Sequence, residues 1–468
     1  MYSYLTYLLT FSLTCAAILH GSQRPNLIII LTDDQGYNDV GFNGCTDIPT
    51  PHLDKLAASG VVFTDGYVSY PVCGPSRAGL LTGRYQDRFG FTTNPSIDPN
   101  NPKSGLPLEE ETIAQVLAKV GYKSAIVGKW HMGTHPNFHP HNRGFDHFYG
   151  FLAGGLSYFP ELMTLNDLSE VTRKWHWYNM KVERDGTKIE IDDYLTDALT
   201  DAATDFIDSQ SSKENPFFLY LAYNAPHAPL QATEKYLNRF THIKDKKRRT
   251  YAAMVSAVDD GVGRVMKTLA NHSIEENTIV VFLSDNGGAI TKNSSNNAPL
   301  RGAKSDLFEG GIRVPFALQW KGTVPAGQIF NDPVISLDIL GTIAGVTQVP
   351  IASERPLDGV NLIPYLTGQT TGAPHDILFW RKWEQNALAV RQGAHKYIIN
   401  RKNMKPALYD LGEDIDESDN RIAVNETYAE ALLEAWEKWN ANLKERFCTF
   451  YFTYVFKSIL RWEQANLL

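Results

Sequence analysis

The sequence is poor in cysteine, in long apolar runs and in excess basic charge, and each shortage excludes a class of protein. Four cysteines in 468 residues cannot form a disulfide scaffold. The apolar runs are too few for a many-pass membrane protein, and no internal repeat stands out. Because 52 acidic residues outnumber 44 basic ones, the net charge of −8 would repel nucleic acid. A hydrophobic fraction of 43% also excludes a disordered or collagenous chain.

The N-terminal residues 7–19 are mostly apolar or small, and they precede Gly21 and Ser22. This length is typical of the hydrophobic region of a secretory signal and is short for a spanning helix. No Lys or Arg precedes Arg24, so the usual positive charge is missing, and a buried helix is the alternative. We predict a signal peptide over 1–22 and a secreted or periplasmic protein, or a lysosomal one in a eukaryote. The mature chain would keep the odd set Cys45, Cys73 and Cys448, so at least one thiol would be unpaired.

Apolar runs alternate with amphipathic segments along most of the chain. The runs at 26–31, 125–127, 217–221 and 278–283 are typical of strands covered on both faces of a parallel sheet. The periodicity predicts helices over 50–56, 112–120, 194–207 and 251–269, the first with Thr50 as its cap and Pro51 at its first position. The predicted fold class is therefore α/β, with a large, mostly parallel mixed sheet sandwiched by helices.

The pattern changes after residue 365. Short alternating segments at 377–380, 387–390 and 396–399 precede an amphipathic segment at 429–443. They predict a small C-terminal α+β domain with an antiparallel sheet. The predicted organisation is a signal peptide at 1–22, a catalytic domain at 23–365, the small domain at 366–446 and an aromatic-rich tail at 447–468. No role is assigned to the tail.

Polar side chains follow the first and last of the long apolar runs. Asp33 and Asp34 come after the first, and Asp285 and Asn286 come after the last. Ligands bind at the carboxyl ends of strands in open parallel sheets, so these groups are expected to converge. Carboxylate and amide oxygens favour a hard cation such as Ca²⁺ or Mg²⁺. For each motif alone, a solvated loop or a turn is the alternative.

The other two runs lead to cationic and imidazole side chains. Lys129 and His131 are two residues apart, so an extended backbone would point both to one face. His227 lies between two prolines in a rigid loop. Beside a metal, these groups predict a pocket for a strongly anionic group with imidazoles available for proton transfer. Considered alone, each of these lysine and histidine side chains could instead have a structural role or simply be solvated.

The segment 72–84 places Cys73 at the start of a predicted helix, with Arg77 four residues on and facing the same side. A helix N-terminus lowers the pKa of a thiol and binds anions, so a reactive cysteine and an anion site are both sensible. A structural cysteine is the third possibility.

Here the sequence resembles a known family. Cys-x-Pro-Ser-Arg followed by Leu-Thr-Gly-Arg is similar to the signature of the type I, formylglycine-dependent sulfatases of the alkaline-phosphatase-like superfamily. Further motifs occur in family order at 31–37, 128–133, 225–229, 284–288, 301–304 and 309–315. The resemblance covers roughly residues 24–442 and looks closest to the arylsulfatase and N-acetylgalactosamine-6-sulfatase branch.

The resemblance implies a cofactor and a nucleophile. A formylglycine-generating enzyme would oxidise Cys73 to formylglycine (3-oxoalanine), whose hydrate attacks sulfur and forms a covalent sulfo-enzyme before sulfate leaves. One Ca²⁺ would be held by residue 73 and by Asp33, Asp34, Asp285 and Asn286. Charge on the sulfuryl group would be offset by Arg77, Lys129, His227 and Lys304. By the same resemblance, Lys304 and His227 handle the leaving oxygen, His131 assists the return to the aldehyde, and Arg77 supports the diol.

The implied substrate is a sulfated carbohydrate, with aryl sulfates as artificial substrates. We predict sugar contacts from His135, Trp175 and Trp177, because aromatic rings stack on pyranose faces; packing of a long surface loop is the alternative. Ser305 and Asp306 stand after Lys304, where the family often has glycine. No nucleic-acid partner and no membrane contact beyond the signal peptide are expected.

Two other functions stay open from the sequence alone. One is a phosphomonoester or phosphonate hydrolase of the same superfamily; its two-zinc members carry Asp-His-Gly where this chain has Asp-Asn-Gly at 285–287. An amide in place of an imidazole is unfavourable for zinc. The other is an anion-binding protein whose Cys73 is never modified.

Overall fold

The computed structural model describes residues 24–400 and 405–444. The predicted signal peptide at 1–22, the tail at 447–468 and Cys448 lie outside the described residues. Within those described, no helix combines the length and the apolar character needed to cross a bilayer.

Sixteen strands are described in chain order: β1 (Asn26–Thr32), β2 (Val61–Phe63), β3 (Gly66–Tyr67), β4 (Lys123–Lys129), β5 (His147–Phe151), β6 (Val182–Arg184), β7 (Thr187–Ile189), β8 (Phe217–Ala222), β9 (Thr278–Ser284), β10 (Phe316–Gln319), β11 (Gln328–Phe330), β12 (Val334–Ile335), β13 (Leu378–Lys382), β14 (Ala387–Gln392), β15 (His395–Ile399) and β16 (Pro406–Asp410). Eleven α-helices accompany them: α1 (Pro51–Ala58), α2 (Cys73–Thr82), α3 (Ile113–Ala118), α4 (Leu195–Gln210), α5 (Glu234–Leu237), α6 (Lys246–Asn271), α7 (Ile290–Asn293), α8 (Glu309–Ile312), α9 (Asp338–Thr347), α10 (Ile363–Leu366) and α11 (Glu426–Asn440).

Ten strands form one mixed sheet in the order β11-β2-β10-β9-β1-β8-β4-β5-β6-β7. The central strands β9, β1, β8, β4 and β5 are parallel, whereas β10, β6 and β7 each pair antiparallel with a neighbour. The predicted large, mostly parallel mixed sheet is therefore confirmed.

Strand β1 shows why helices must cover both faces of this sheet. All seven of its residues are buried. Because side chains alternate across a strand, Leu27 and Ile29 enter one apolar cluster, and Ile28 and Ile30 enter the other. Helices α2, α3 and α9 pack into the first cluster, and α1, α4 and α6 pack into the second.

The C-terminal region forms a separate four-stranded antiparallel sheet in the order β13-β14-β15-β16. The small antiparallel sheet is thus confirmed, although the sequence did not predict its fourth strand, β16. This sheet and α11 share the apolar cluster of the first face. Trp380 Nε1 donates to Val68 O at 2.8 Å, and Lys396 Nζ contacts Glu309 Oε1 on α8 at 2.8 Å, so polar bonds also join the small sheet to the rest of the fold. The boundary at residue 365 stays a prediction.

Thr50 occupies the N-cap position of α1 and Pro51 its first position, as predicted, but the Thr50 side chain makes no capping hydrogen bond. Its hydroxyl accepts the N–H of Gly41 at 2.7 Å and donates to Asp54, a bond within the helix's own first turn. The free N–H groups at the start of α1 donate instead to Asp259 on α6, with Leu53 N at 2.8 Å from Asp259 Oδ1. A partner 206 residues away in sequence takes over the capping role that a local residue usually has.

A half-buried histidine makes the stability of the fold depend on pH. His375 Nε2 lies 2.8 Å from Asp338 Oδ1. Burial opposes charging of the ring, but Asp338 outweighs it and raises the pKa of His375 above its usual value. Because the folded pKa lies above the unfolded one, the ion pair stabilises fully below about pH 6.5, and the contribution is lost as the pH rises through the folded value.

We therefore expect His375→Gln to lower the free energy of unfolding by about 1–3 kcal/mol at about pH 6 and by less at about pH 9. Thermal unfolding of wild type and variant across this range measures the difference. The exposed His242 supplies the control, because His242→Gln should leave stability unchanged at every pH. A difference in the free energy of unfolding between wild type and His375→Gln that does not vary with pH would contradict the prediction.

Candidate active site

The polar groups predicted from the sequence lie together at the carboxyl ends of adjacent strands. Since β9, β1, β8 and β4 are neighbours in the sheet, the residues that follow them share one edge. The residues brought to this edge are Asp33 and Asp34 after β1, Lys129 and His131 at the end of β4, His227 after β8, and Asp285 and Asn286 after β9.

Cys73 is the first residue of α2 and is buried in the same site. The N–H of Gly74 donates to Asn94 Oδ1 at 2.9 Å, and Asn94 also lies 3.8 Å from Cys73 Sγ. A Cβ added to Gly74 would stand 2.7 Å from that amide oxygen, so only glycine permits this approach. The loop of Asn94 thus fixes the start of the helix that carries the thiol.

Oxygen atoms gather around the thiol in a way that fits a hard cation. Ligand atoms of Asp33, Cys73 and Asp285 lie within 4.8 Å of one another, as do those of Asp33, Asp34 and His227. Asp33 Oδ1 and Asn286 Oδ1 are buried and have no hydrogen-bond partner among the described residues. Buried oxygens are normally satisfied, so these two, on residues that follow the neighbouring strands β1 and β9, are available to an electrophilic partner. Carboxylate and amide oxygens are the donors that Ca²⁺ prefers.

Three cationic side chains, of which Lys129 and Arg77 are buried and Lys304 is half-buried, are tied to these carboxylates. Lys129 Nζ contacts Asp33 Oδ2, and Arg77 Nε donates to Asp285 Oδ2 at 2.8 Å. Lys304 contacts Asp34 Oδ1, and its Nζ lies 3.8 Å from Cys73 Sγ. The site therefore combines a cation-binding cluster with fixed positive charge beside the thiol.

Burial and the neighbouring charges shift the pKa values of these acids in opposite directions. Burial would raise the pKa of Asp33, but the facing cations, Lys129 first, hold it well below its usual range. Burial and the Asp33 carboxylate together raise the pKa of Asp285. Repulsion of this kind falls when a cation lies between the two carboxylates, which agrees with the metal interpretation.

The same charges act on the thiol and on Lys304. Burial opposes ionisation of Cys73, but Lys129 and Lys304 outweigh it and lower the pKa of the thiol. Burial would lower the pKa of Lys304, whereas Asp34 outweighs that effect and raises it well above its usual range. Lys304 is therefore a permanent ammonium beside residue 73.

The two histidines differ in how their rings are held. His227 Nδ1 lies 2.6 Å from Ala228 O; since a carbonyl only accepts, Nδ1 carries a proton and Nε2 faces Asp34 Oδ2 at 3.6 Å. Burial, followed by Lys129 and Arg77, lowers the pKa of His131 well below its usual range, so this imidazole is neutral.

The extended backbone predicted at His131 is wrong, because its φ is +61°. The left-handed turn still brings the ring into the site. Gly154 makes room for it, since a Cβ there would stand 2.7 Å from His131 Nε2.

A cavity of about 600 Å³ opens from this cluster. Its inner end has Asp34, Cys73, His131, His227 and Lys304, and an aromatic wall stands among the other lining residues. That wall is formed by Trp175, Trp177 and Tyr178, with the last two rings stacked at 4.1 Å between centroids. Trp175 is 55% exposed, which is unusual for tryptophan and leaves a ring face available to a ligand.

His135, the third predicted substrate residue, does not line this cavity. Its Nδ1 accepts the N–H of Asn137 at 3.1 Å and starts a short 3₁₀ turn. Asn94 and Lys292, in contrast, line the cavity and were missed by the sequence analysis. A single asparagine or lysine in a loop carries no periodic or motif signal, so only the folded chain reveals them.

Comparisons with known proteins agree with this arrangement. The family model described as Sulfatase matches residues 25–349, more than half of the chain. N-acetylgalactosamine-6-sulfatase of Mus musculus is 35% identical over 384 residues, which cover 80% of this chain and 72% of that protein. Arylsulfatase A of Bos taurus is 31% identical over 466 residues, 90% of this chain and 88% of that protein. Among solved structures, Ps i-CgsB in complex with k-i-k-neocarrahexaose has a TM-score of 0.84 and 36% identity, covering 95% of this chain and 99% of that one.

Proposed function

Because this chain belongs to the sulfatase family and is a sulfuric ester hydrolase, we propose that it removes sulfate from a sulfated carbohydrate. The observation that carries the proposal is the aromatic wall beside the charged end of the cavity, where one sugar can stack while its sulfate faces Cys73. The similar protein Ps i-CgsB was crystallised with an oligosaccharide, which supports the same substrate class.

We further propose that Cys73 is converted to formylglycine and that one Ca²⁺ is held by this residue with Asp33, Asp34, Asp285 and Asn286. The hydrated aldehyde would supply the nucleophile, and the cation, when bound, would neutralise negative charge on the sulfuryl oxygens. The two buried oxygens without partners, on Asp33 and Asn286, are the support for the metal. Conversion to formylglycine requires a cysteine that is not in a disulfide, and Cys73 is a free thiol.

The side chains of this chain would divide the remaining work. Lys129 and Arg77 hold the carboxylates of Asp33 and Asp285 in place and offset negative charge on the sulfuryl oxygens. Lys304, a permanent ammonium, is placed to donate a hydrogen bond to the leaving oxygen, and His227, which carries a proton on Nδ1, presents Nε2 to the same end of the cavity. His131 is neutral, so its ring can accept a proton from a hydroxyl on residue 73.

The relatives' activity and the predicted leader together support export. We propose that residues 1–22 direct the chain to a secreted, periplasmic or lysosomal location, and that a formylglycine-generating enzyme converts Cys73 during maturation.

A panel of substrates tests the proposed function. Purified protein is incubated with sulfated galactan and glycosaminoglycan fragments, with an aryl sulfate, and with the matching phosphate monoesters and phosphonates. Release of free sulfate from a saccharide is expected. Turnover of the aryl sulfate with no sugar sulfate cleaved would contradict the carbohydrate proposal.

Mass spectrometry of the Cys73 peptide accompanies the assay, because conversion of cysteine to formylglycine lowers the mass of this peptide. An intact thiol in fully active protein would contradict the formylglycine proposal.

The aromatic wall gives a separate test of substrate class. Trp175→Ala is expected to raise KM for the preferred saccharide about tenfold, or about 1.4 kcal/mol, with kcat nearly unchanged. The ring lies at the mouth and is 55% exposed, so its loss should not unfold the protein. Trp175→Phe should restore much of the affinity, and His135→Ala should change neither constant for a substrate held within the cavity. Steady-state kinetics on the three variants checks this, and an unchanged KM in Trp175→Ala would count against stacking.

A further inference from the structure

Ser305 occupies a backbone conformation that disfavours serine. Its φ is +79°, in the left-handed region where a Cβ is strained and where glycine is the usual residue. The residue lines the cavity directly after Lys304. A strained residue at the wall of a substrate cavity is a reason to ask what its side chain does there.

The main chain of Ser305 is already satisfied by the protein. Its N–H donates to Pro71 O at 2.9 Å, and its carbonyl accepts from Lys382 Nζ at 2.9 Å. Its hydroxyl has no hydrogen bond to any other residue in the described part of the chain. The two backbone bonds hold the left-handed turn in place, and the hydroxyl is the one polar group of this residue that remains for a ligand.

The position of Lys304 indicates which part of the ligand lies nearby. Lys304 Nζ is 3.8 Å from Cys73 Sγ and contacts Asp34, so it marks the reacting end of the cavity. Ser305 lines the same cavity directly after Lys304, so a sugar whose sulfate reaches Cys73 would pass beside it. A hydroxyl both donates and accepts, and this suits the hydroxyl of a neighbouring ring carbon.

We propose that Ser305 is a specificity-determining residue whose hydroxyl hydrogen-bonds the sugar ring that carries the scissile sulfate. The inference rests on the proposed carbohydrate function and deepens it. It identifies the substrate as a sulfate monoester with a free hydroxyl beside the sulfated carbon, a group that aryl sulfates lack.

Two substitutions test the role of the hydroxyl. Ser305→Ala removes the oxygen and keeps the strain, whereas Ser305→Gly removes both. Each should lower kcat/KM about fivefold to tenfold on the preferred sulfated oligosaccharide and leave kcat/KM on nitrophenyl sulfate unchanged. Ser305→Gly should in addition raise the melting temperature, because glycine adopts this φ without a Cβ clash.

Ser273 provides the matched control. It is exposed, has a φ of +57°, and lies just before β9, at the opposite end of that strand from the site. Ser273→Gly is expected to raise the melting temperature without changing kcat/KM on either substrate.

Three outcomes would overturn the proposal. If both Ser305 variants match wild type on the oligosaccharide, the hydroxyl makes no useful contact. If they lose activity equally on nitrophenyl sulfate, Ser305 supports the reacting groups and does not select the sugar. If wild type cleaves nitrophenyl sulfate but no saccharide sulfate, the proposed function itself fails and this inference fails with it.

Discussion

Replacement of Cys73 by serine is expected to lower kcat for sulfate release by at least about 10⁴-fold in a protein that remains folded. The thiol is buried at the first residue of α2, and serine is close to cysteine in shape, so packing should survive. Serine cannot be oxidised by the route proposed for cysteine. Its single hydroxyl has no second hydroxyl on the same carbon to expel sulfate, so turnover should stop.

Free-sulfate measurement and thermal unfolding of the Cys73→Ser variant check this expectation together. Cys45 provides the control, because it is a half-buried free cysteine outside the cavity. Cys45→Ser should therefore keep wild-type kcat. A Cys73→Ser enzyme within tenfold of wild type would contradict the assigned nucleophile.

The second large effect is expected at Asp33. Asp33→Asn should reduce bound calcium to well below one ion per chain and lower kcat by at least about 10²-fold. The carboxylate contacts Lys129 through Oδ2, while Oδ1 is buried with no donor among the described residues. An amide removes one negative charge and would place N–H groups toward the Lys129 ammonium or the proposed cation, so both interactions should weaken.

Elemental analysis of the purified variant gives a measurement that is independent of activity. Asp47→Asn supplies the control, since Asp47 is partly exposed and binds Arg248 away from the cavity. It should leave calcium content and kcat at wild-type values. Full calcium occupancy in Asp33→Asn, or zinc in place of calcium in wild type, would contradict the proposed metal site.

Much of the fold was predictable because its strands are unusually apolar. β1 is buried at all seven positions, and such a run has no plausible place outside a sheet covered on both faces. Because acidic residues directly follow the runs that form β1 and β9, the sequence also predicted that these side chains would converge at one edge of the sheet. Polar side chains that directly follow an apolar run are a local feature of the sequence, so they can be recognised without the structure.

Features that depend on distant partners could not be read in this way. The cap of α1 comes from Asp259 on another helix, and no local pattern at Thr50 distinguishes the two arrangements. The left-handed backbone at His131 is possible because Gly154 leaves room for its ring, and the two are 23 positions apart along the printed sequence. Asn94 reaches the start of α2 from a loop without motif or periodicity.

The hydrogen bond from Lys382 to the carbonyl of Ser305 joins the small antiparallel sheet to the wall of the cavity. Lys382 ends β13, a strand of the small antiparallel sheet, and Lys396 on β15 holds Glu309 just beyond the same loop. Divergence in this peripheral sheet can therefore alter the fit of a sugar without changing any group that touches sulfur.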